Sequence, residues 1–373
     1  MDKIVEIQKK IVLAEPLFDN KKSIKLLKEV IESNFVSEGE LTKVFEKKIS
    51  KLLHIKYVSC VTSGTIAIFI ALKSLRIKNK DEVLVPNLTY PGTLNAVNLA
   101  GAKPILVDVN QNNLLIDIND LKRKINKKTR AIIAVHLSGR GTNITELNKI
   151  AKKKKIHLIE DAAEAFMSKK NKKFLGTFGK VGCFSFAPNK ILTTGQGGAV
   201  VTNDKKIFDE ILKLKDQGRT GIKTGGEDSY DSIGYNFKFT NLQAALGLSQ
   251  LDSIKKRIEK LKNNYKFYKK GIIQNNKIKI FSFELQKGEV PLWTDIKCYN
   301  RNKLFNYLKK RNIHARYFWH FINNLKPYKT SSKKFKNSKN LRGKLMWLPS
   351  SLSLTNKQLQ KICKLINRFY KNN

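Results

Sequence analysis

The sequence predicts an α/β protein: a mostly parallel sheet with helices on both faces, then a smaller α+β region. Two observations carry the prediction. From residue 57 to residue 215, short β-rich segments alternate with helical ones, the order that crossover connections impose on parallel strands. Several of these β-rich segments are almost continuously apolar, as strands covered on both faces must be. Past about residue 245 the alternation ends. The chain therefore divides into a large region, 1–250, and a smaller one, 251–373. Roughly the first twenty residues are expected to pack near the second.

In order along the chain, strands are expected at 57–62, 82–86, 103–109, 130–137, 157–161, 181–186 and 198–202, seven in all. Helices are expected between them at 65–75, 93–100, 118–125, 144–153 and 205–215. The smaller region opens with one long amphipathic helix, 251–273. It continues with strands at 278–281 and 292–296, helices at 302–311 and 356–370, and a loop-rich stretch at 323–340.

Composition narrows the function classes. With 373 residues, 41% hydrophobic and 28% charged, the chain can bury a large core. Its most apolar stretch, 60–75, is broken by Ser63-Gly64-Thr65 and falls short of the ~20 residues that span a bilayer. Met1–Lys10 is charged throughout, so no cleavable leader is expected. Cys60, Cys183, Cys298 and Cys363 have neither zinc-type nor disulfide-dense spacing; reduced, buried thiols in a cytoplasmic protein are expected, with no metal site. The formal charge of +43 would ordinarily suggest nucleic acid. That charge is mostly lysine spread along the whole chain, without the arginines, aromatic pairs or finger spacings of nucleic-acid readers. No specific nucleic-acid partner is expected.

Four segments place chemistry where α/β sheets bind ligands, beyond the carboxyl ends of strands. Thr62-Ser63-Gly64-Thr65 ends a strand and opens a helix, so hydroxyls and free N–H groups can receive an anion, with Gly64 allowing close approach. Glu160-Asp161-Ala162-Ala163-Glu164 delivers adjacent carboxylates to a strand end among apolar neighbours, where they need a cation or donors. Lys190 follows the apolar strand that carries Ser185 and precedes the glycine-rich Gly195-Gln196-Gly197-Gly198; a desolvated lysine there becomes a nucleophile for carbonyls. In Tyr235-Asn236-Phe237-Lys238-Phe239-Thr240-Asn241, Thr240 or Asn241 caps a helix of small residues.

Together these segments resemble the DegT/DnrJ/EryC1/StrS sugar aminotransferases, in order and spacing, from about Lys22 to the C-terminal Leu345-Met346-Trp347-Leu348-Pro349-Ser350. The resemblance implies the type I fold of aspartate aminotransferase and a pyridoxal 5'-phosphate cofactor. It implies that Lys190 holds the cofactor covalently, that Asp161 pairs with its ring nitrogen, and that Glu164 lies near its ring hydroxyl. By the same likeness Ser63, Gly64, Thr65 and Ser185 hold its phosphate, and Tyr90 stacks on its ring. Asn236 would reach the phosphate of a neighbouring subunit, implying a homodimer with shared sites. Arg316, His320 and Lys238 are the candidate substrate contacts; Lys238 stands where the family often has arginine, and Asn323 where it usually has histidine. His136 is expected to be a hydrogen-bonded structural residue, and Trp293 and Trp347 core residues.

Within that family the likeness runs toward perosamine synthases, which implies transfer of an amino group from L-glutamate to a nucleotide-linked keto-deoxy sugar for surface-polysaccharide synthesis. Three other readings compete. The family's 3-dehydratase branch carries histidine in place of Lys190. A transaminase of a cyclitol or other non-nucleotide ketone would keep the lysine. A regulator or polyanion-binding protein that retains only the fold would fail to bind the cofactor.

Overall fold

Residues 10–221 and 228–372 are described by the computed structural model; the leader reading of Met1–Lys10 lies almost wholly outside them. Seven strands form the large sheet: β1 (Tyr57–Val61), β2 (Glu82–Pro86), β3 (Lys103–Val107), β4 (Thr129–Val135), β5 (His157–Asp161), β6 (Val181–Ser185) and β7 (Gly198–Thr202). Their spatial order is β1-β7-β6-β5-β4-β2-β3. Strands β3, β2, β4, β5 and β6 pair in parallel, and β7 alone is antiparallel, to both β6 and β1. The register aligns the carboxyl ends that matter: Val135 lies opposite Asp161, Asp161 opposite Cys183, and Gly198 opposite both Ser185 and Val61.

Helices cover both faces. Helix α3 (Gly64–Ser74) is apolar nearly all round because it is enclosed, by the sheet on one side and by α4 (Pro91–Leu99) and α7 (Lys205–Lys215) on others. Helices α5 (Ile118–Lys124) and α6 (Ile144–Lys154) pack Leu121, Ile144 and Leu147 against Leu84, Ile132 and Leu158. Before the sheet come α1 (Asn20–Glu32) and α2 (Glu40–Leu53), which pack on α8 (Asn241–Leu251). Asn241 ties α8 to the start of α2: its Oδ1 accepts the N–H groups of Gly39 and Thr42 at 3.2 and 3.1 Å.

The C-terminal sheet has the order β8-β9-β11-β10, from β8 (Ile278–Ile280), β9 (Thr294–Cys298), β10 (Arg316–Tyr317) and β11 (Leu345–Leu348), all antiparallel. Ile280, Ile296 and Met346 of this sheet meet Tyr268 of α9 (Ile254–Gly271) and Ile362 and Ile366 of the last helix, Asn356–Lys371. Ile11 bridges Ile313, and the Ser350 N–H donates to the Leu13 carbonyl at 2.7 Å, so residues 11–13 lie along this sheet's surroundings.

Among the elements expected from sequence three differ, and strands β10 and β11 were not expected. The single helix expected over 251–273 is two: α8 ends at Leu251 and α9 starts at Ile254, after Ser253 (φ −89°, ψ 0°), whose hydroxyl donates to the Gln250 carbonyl at 2.9 Å. The strand expected at 292–296 starts at Thr294, because the Leu292 N–H is taken by the Ser138 carbonyl of the large region (3.0 Å). The stretch 323–340 contains the start of a short helix, Lys336–Leu341, whose first N–H groups, on Asn337 and Ser338, donate to the Asp108 carboxylate at 2.9 and 3.0 Å.

Candidate active site

At the carboxyl edge of the large sheet lies a cavity of about 330 Å³. Ser63, Gly64, Thr65, Tyr90, Asp161, Glu164, Ser185, Lys190 and Arg316 line it, nine of the twelve residues singled out from sequence. Segments more than 250 residues apart supply them. Asn236, Lys238 and His320 are not among the lining residues of this chain. Asn236 bridges Asp216, Lys238 forms an ion pair with Asp216 at 3.1 Å, and His320 is exposed beside Trp319.

One end of the cavity is built for an anion. Ser63 caps α3, its Oγ accepting the Ile66 N–H at 3.2 Å, which leaves other first-turn N–H groups without intrahelical acceptors. A Cβ on Gly64 would stand 2.8 Å from the Ser185 Cβ, and one on Gly198 2.6 Å from the Ser63 carbonyl carbon. Two glycines thus let β6, β7 and the start of α3 close to backbone contact, bringing the Thr65 and Ser185 hydroxyls to the same cup.

At the other end Asp161 is almost wholly buried at the tip of β5. Burial holds its carboxyl above the usual aspartate range, opposed by the Thr93 hydroxyl, which donates to Oδ2 at 2.8 Å, and by the Ala163 N–H, which donates to Oδ1 at 3.1 Å. It has no ion-pair partner among the described residues. A buried carboxylate that lines a cavity and lacks a cation fits a protonated ring nitrogen.

Glu164 lines the cavity with Asp161 and the lysine. The Ser138 N–H donates to its Oε2 at 2.8 Å, the Trp293 indole N–H to its Oε1 at 2.9 Å, and Lys190 Nζ lies 3.6 Å from that second oxygen. Lys190 sits on the turn after β6, its N–H donating to the Ala187 carbonyl, with only 12% of its side chain exposed. Glu160, adjacent to Asp161 in sequence, belongs elsewhere. It accepts N–H groups from Gly176, Phe178 and Gly179, and His136 Nε2 meets its Oε2 at 2.8 Å. The Thr142 N–H donates to His136 Nδ1, so Nε2 carries the proton toward Glu160. His136 is a structural histidine, as expected.

Sequence reasoning missed Thr93, Ser138 and Gln196, and placed Trp293 only in the core. Trp293 is indeed 98% buried, yet its one polar atom reaches the site. Another unread feature is the buried pair of Arg140 with Asp295, which also accepts the Ser138 hydroxyl, so that Ser138 connects Glu164 to β9. Burial lowers the Arg140 guanidinium to about 10. The four cysteines are free and buried, and burial pushes their thiols up, that of Cys363 to about 11.

Over 346 residues the chain is 36% identical to GDP-perosamine synthase of Escherichia coli O157:H7, covering 92% of this chain and 94% of that one. It is 33% identical over 365 residues to GDP-perosamine synthase of Vibrio cholerae, covering 95% and 98%. In fold it superposes on Helicobacter pylori PseC, an aminotransferase involved in the biosynthesis of pseudoaminic acid, with a TM-score of 0.91 at 24% identity, over 98% of this chain and 100% of that one. A seven-stranded sheet covered on both faces and ending in this pocket has the type I fold of the pyridoxal-phosphate-dependent transferases. Within that class the chain belongs to the DegT/DnrJ/EryC1/StrS aminotransferase family, which matches residues 18–367. Its cofactor is pyridoxal 5'-phosphate.

Proposed function

We propose that this aminotransferase moves an amino group from L-glutamate to a nucleotide-linked 4-keto-6-deoxy sugar, in the synthesis of a surface polysaccharide. The relatives named GDP-perosamine synthase support the sugar class and make a GDP-linked ketone the first substrate to assay. One observation carries the site reading: the sequestered Lys190 amine and the cation-seeking Asp161 share a single cavity whose far end is an anion cup.

When bound, the cofactor supplies an electron sink for the bond broken at the donor's α carbon. The chain's residues do the rest. The α3 N-terminus with Thr65 and Ser185 holds the phosphate, and Tyr90 flanks the ring. Asp161 keeps the ring nitrogen protonated, since its buried charge is costly without a cation. Glu164 fixes the ring hydroxyl. Lys190 Nζ takes the proton from the donor's α carbon and returns one on the acceptor side, as base and then acid. Arg316, exposed at the cavity wall, is suited to an anionic group of donor or sugar nucleotide. Lys238 and His320 are assigned to the outer substrate contacts, and Asn236 to the phosphate site of a second subunit in a homodimer. No helix among the described residues is long and apolar enough to cross a membrane; with four free buried thiols we place the enzyme in the cytoplasm.

The test is mass spectrometry of products from GDP-, dTDP- and UDP-linked 4-keto sugars with glutamate as donor. An amino sugar from at least one is expected, and Lys190→Ala should lower its formation by about 10³-fold or more. Amination of a cyclitol ketone but of no nucleotide sugar would overturn the substrate class.

A further inference from the structure

The chain's three tryptophans and Tyr90 form a continuous run of ring contacts that starts at the cavity wall, with Tyr90 and Trp319. Trp293 packs on Trp347 with ring centroids 5.6 Å apart, Trp347 on Trp319 at 5.0 Å, and Trp319 on Tyr90 at 5.6 Å. Trp293 and Trp347 are equally buried but differ in one respect. The Trp347 indole N–H has no acceptor among the described residues, whereas that of Trp293 donates to Glu164 Oε1 at 2.9 Å.

That same oxygen faces Lys190 Nζ at 3.6 Å, beyond hydrogen-bond distance, while the other is held by the Ser138 N–H. Each carboxylate oxygen is thus pinned by a donor that cannot follow it. Lys190 faces Glu164 and, across the cavity, Asp161; Glu164 faces Lys190, Asp161 and the Arg140 guanidinium, and Arg316 lines the same cavity. A carboxylate that closed fully on the ammonium would form a charge-assisted hydrogen bond and raise the lysine's proton affinity. The amine must be neutral to attack a carbonyl.

We propose that Trp293 is a positioning residue: its indole N–H, delivered from the residue just before β9, holds Glu164 off Lys190 and so keeps the amine free to attack a carbonyl. The inference rests on the reading of Lys190 as the cofactor's attachment point.

The experiment follows the pH dependence of the rate at which the cofactor-free, full-length protein takes up pyridoxal phosphate, read by visible absorbance. Trp293→Phe should move the midpoint up by about one pH unit, the scale of one altered charge contact, and slow uptake about tenfold below it. Trp347→Phe, which removes an indole of equal burial but no hydrogen bond, should leave the midpoint in place, and Trp293→Phe should add no shift to Glu164→Gln. An unmoved midpoint in Trp293→Phe, or an equal shift in Trp347→Phe, overturns the proposal. Should Trp293→Phe fail to fold, indole N–H resonances of the ¹⁵N-tryptophan-labelled protein decide: Glu164→Ala should move that of Trp293 most, and three unmoved resonances refute the contact. Lys190→Ala separates the two readings, since uptake with unchanged absorbance in that variant would sink the attachment site itself, whatever Trp293 does.

Discussion

Asp161 carries a charge that its own surroundings disfavour. Because burial raises its folded-state pKa above the unfolded value, folding takes up a proton there; the stability this gives is present below the unfolded value and lost as pH rises through the folded one. The cofactor-free protein should therefore lose stability as pH climbs out of the acid range. Asp161→Asn should remove that slope and melt higher than the parent near neutrality, while losing transfer activity by about 10²-fold or more, because the ring nitrogen loses its anion. Thermal melts of both cofactor-free proteins across pH check the first half; a variant that melts lower at every pH would contradict it. At this scale the sequence was partly legible. Lys190, Asp161 and Glu164 stand in apolar blocks where a charge is conspicuous, and all three line the cavity. Trp293 and Ser138 reach Glu164 from 129 and 26 residues away, and no local pattern marks a tryptophan that donates one hydrogen bond.

Among elements, the anion cup depends on how closely β7 approaches the start of α3. Gly198→Ala would drive a methyl group into the Ser63 carbonyl and the Gly64 nitrogen, both backbone atoms that cannot rotate away. It should cost about 1–3 kcal/mol of stability and weaken cofactor phosphate binding roughly tenfold as the cup opens. Titration of the cofactor-free variant with pyridoxal phosphate checks this, and unaltered affinity would contradict the cup. The large sheet was almost fully legible, because strands enclosed on both faces leave continuous apolar runs. The break between α8 and α9 was not. The apolar repeat continues across it, and the break lies in the backbone of Ser253, whose hydroxyl bonds back to the Gln250 carbonyl, a local turn that the repeat does not mark. The onset of β9 was misplaced for a different reason, a distant one: the Ser138 carbonyl holds the Leu292 N–H.

Over the whole molecule, the +43 charge is the loudest feature of the sequence and the least informative about the site. After Asp295 the chain has no acidic residue at all, yet the cavity combines both signs, Asp161 and Glu164 with Lys190 and Arg316. Asn236 lies outside this chain's cavity lining, bridging Asp216, and its proposed place at a neighbouring subunit's site has a direct test. Lys190→Ala and Asn236→Ala should each be inactive alone; mixed under conditions of subunit exchange they should recover about a quarter of parental activity, from one intact site per heterodimer. No recovery would mean that both residues serve the same subunit's site. The central claim, that one lysine at the carboxyl edge of the sheet carries the cofactor, has a more direct test. Reducing the loaded enzyme with borohydride and mapping its peptides should place the pyridoxyl mass on Lys190 and leave Lys190→Ala unlabelled; the same mass on another lysine, or on none, would contradict the account.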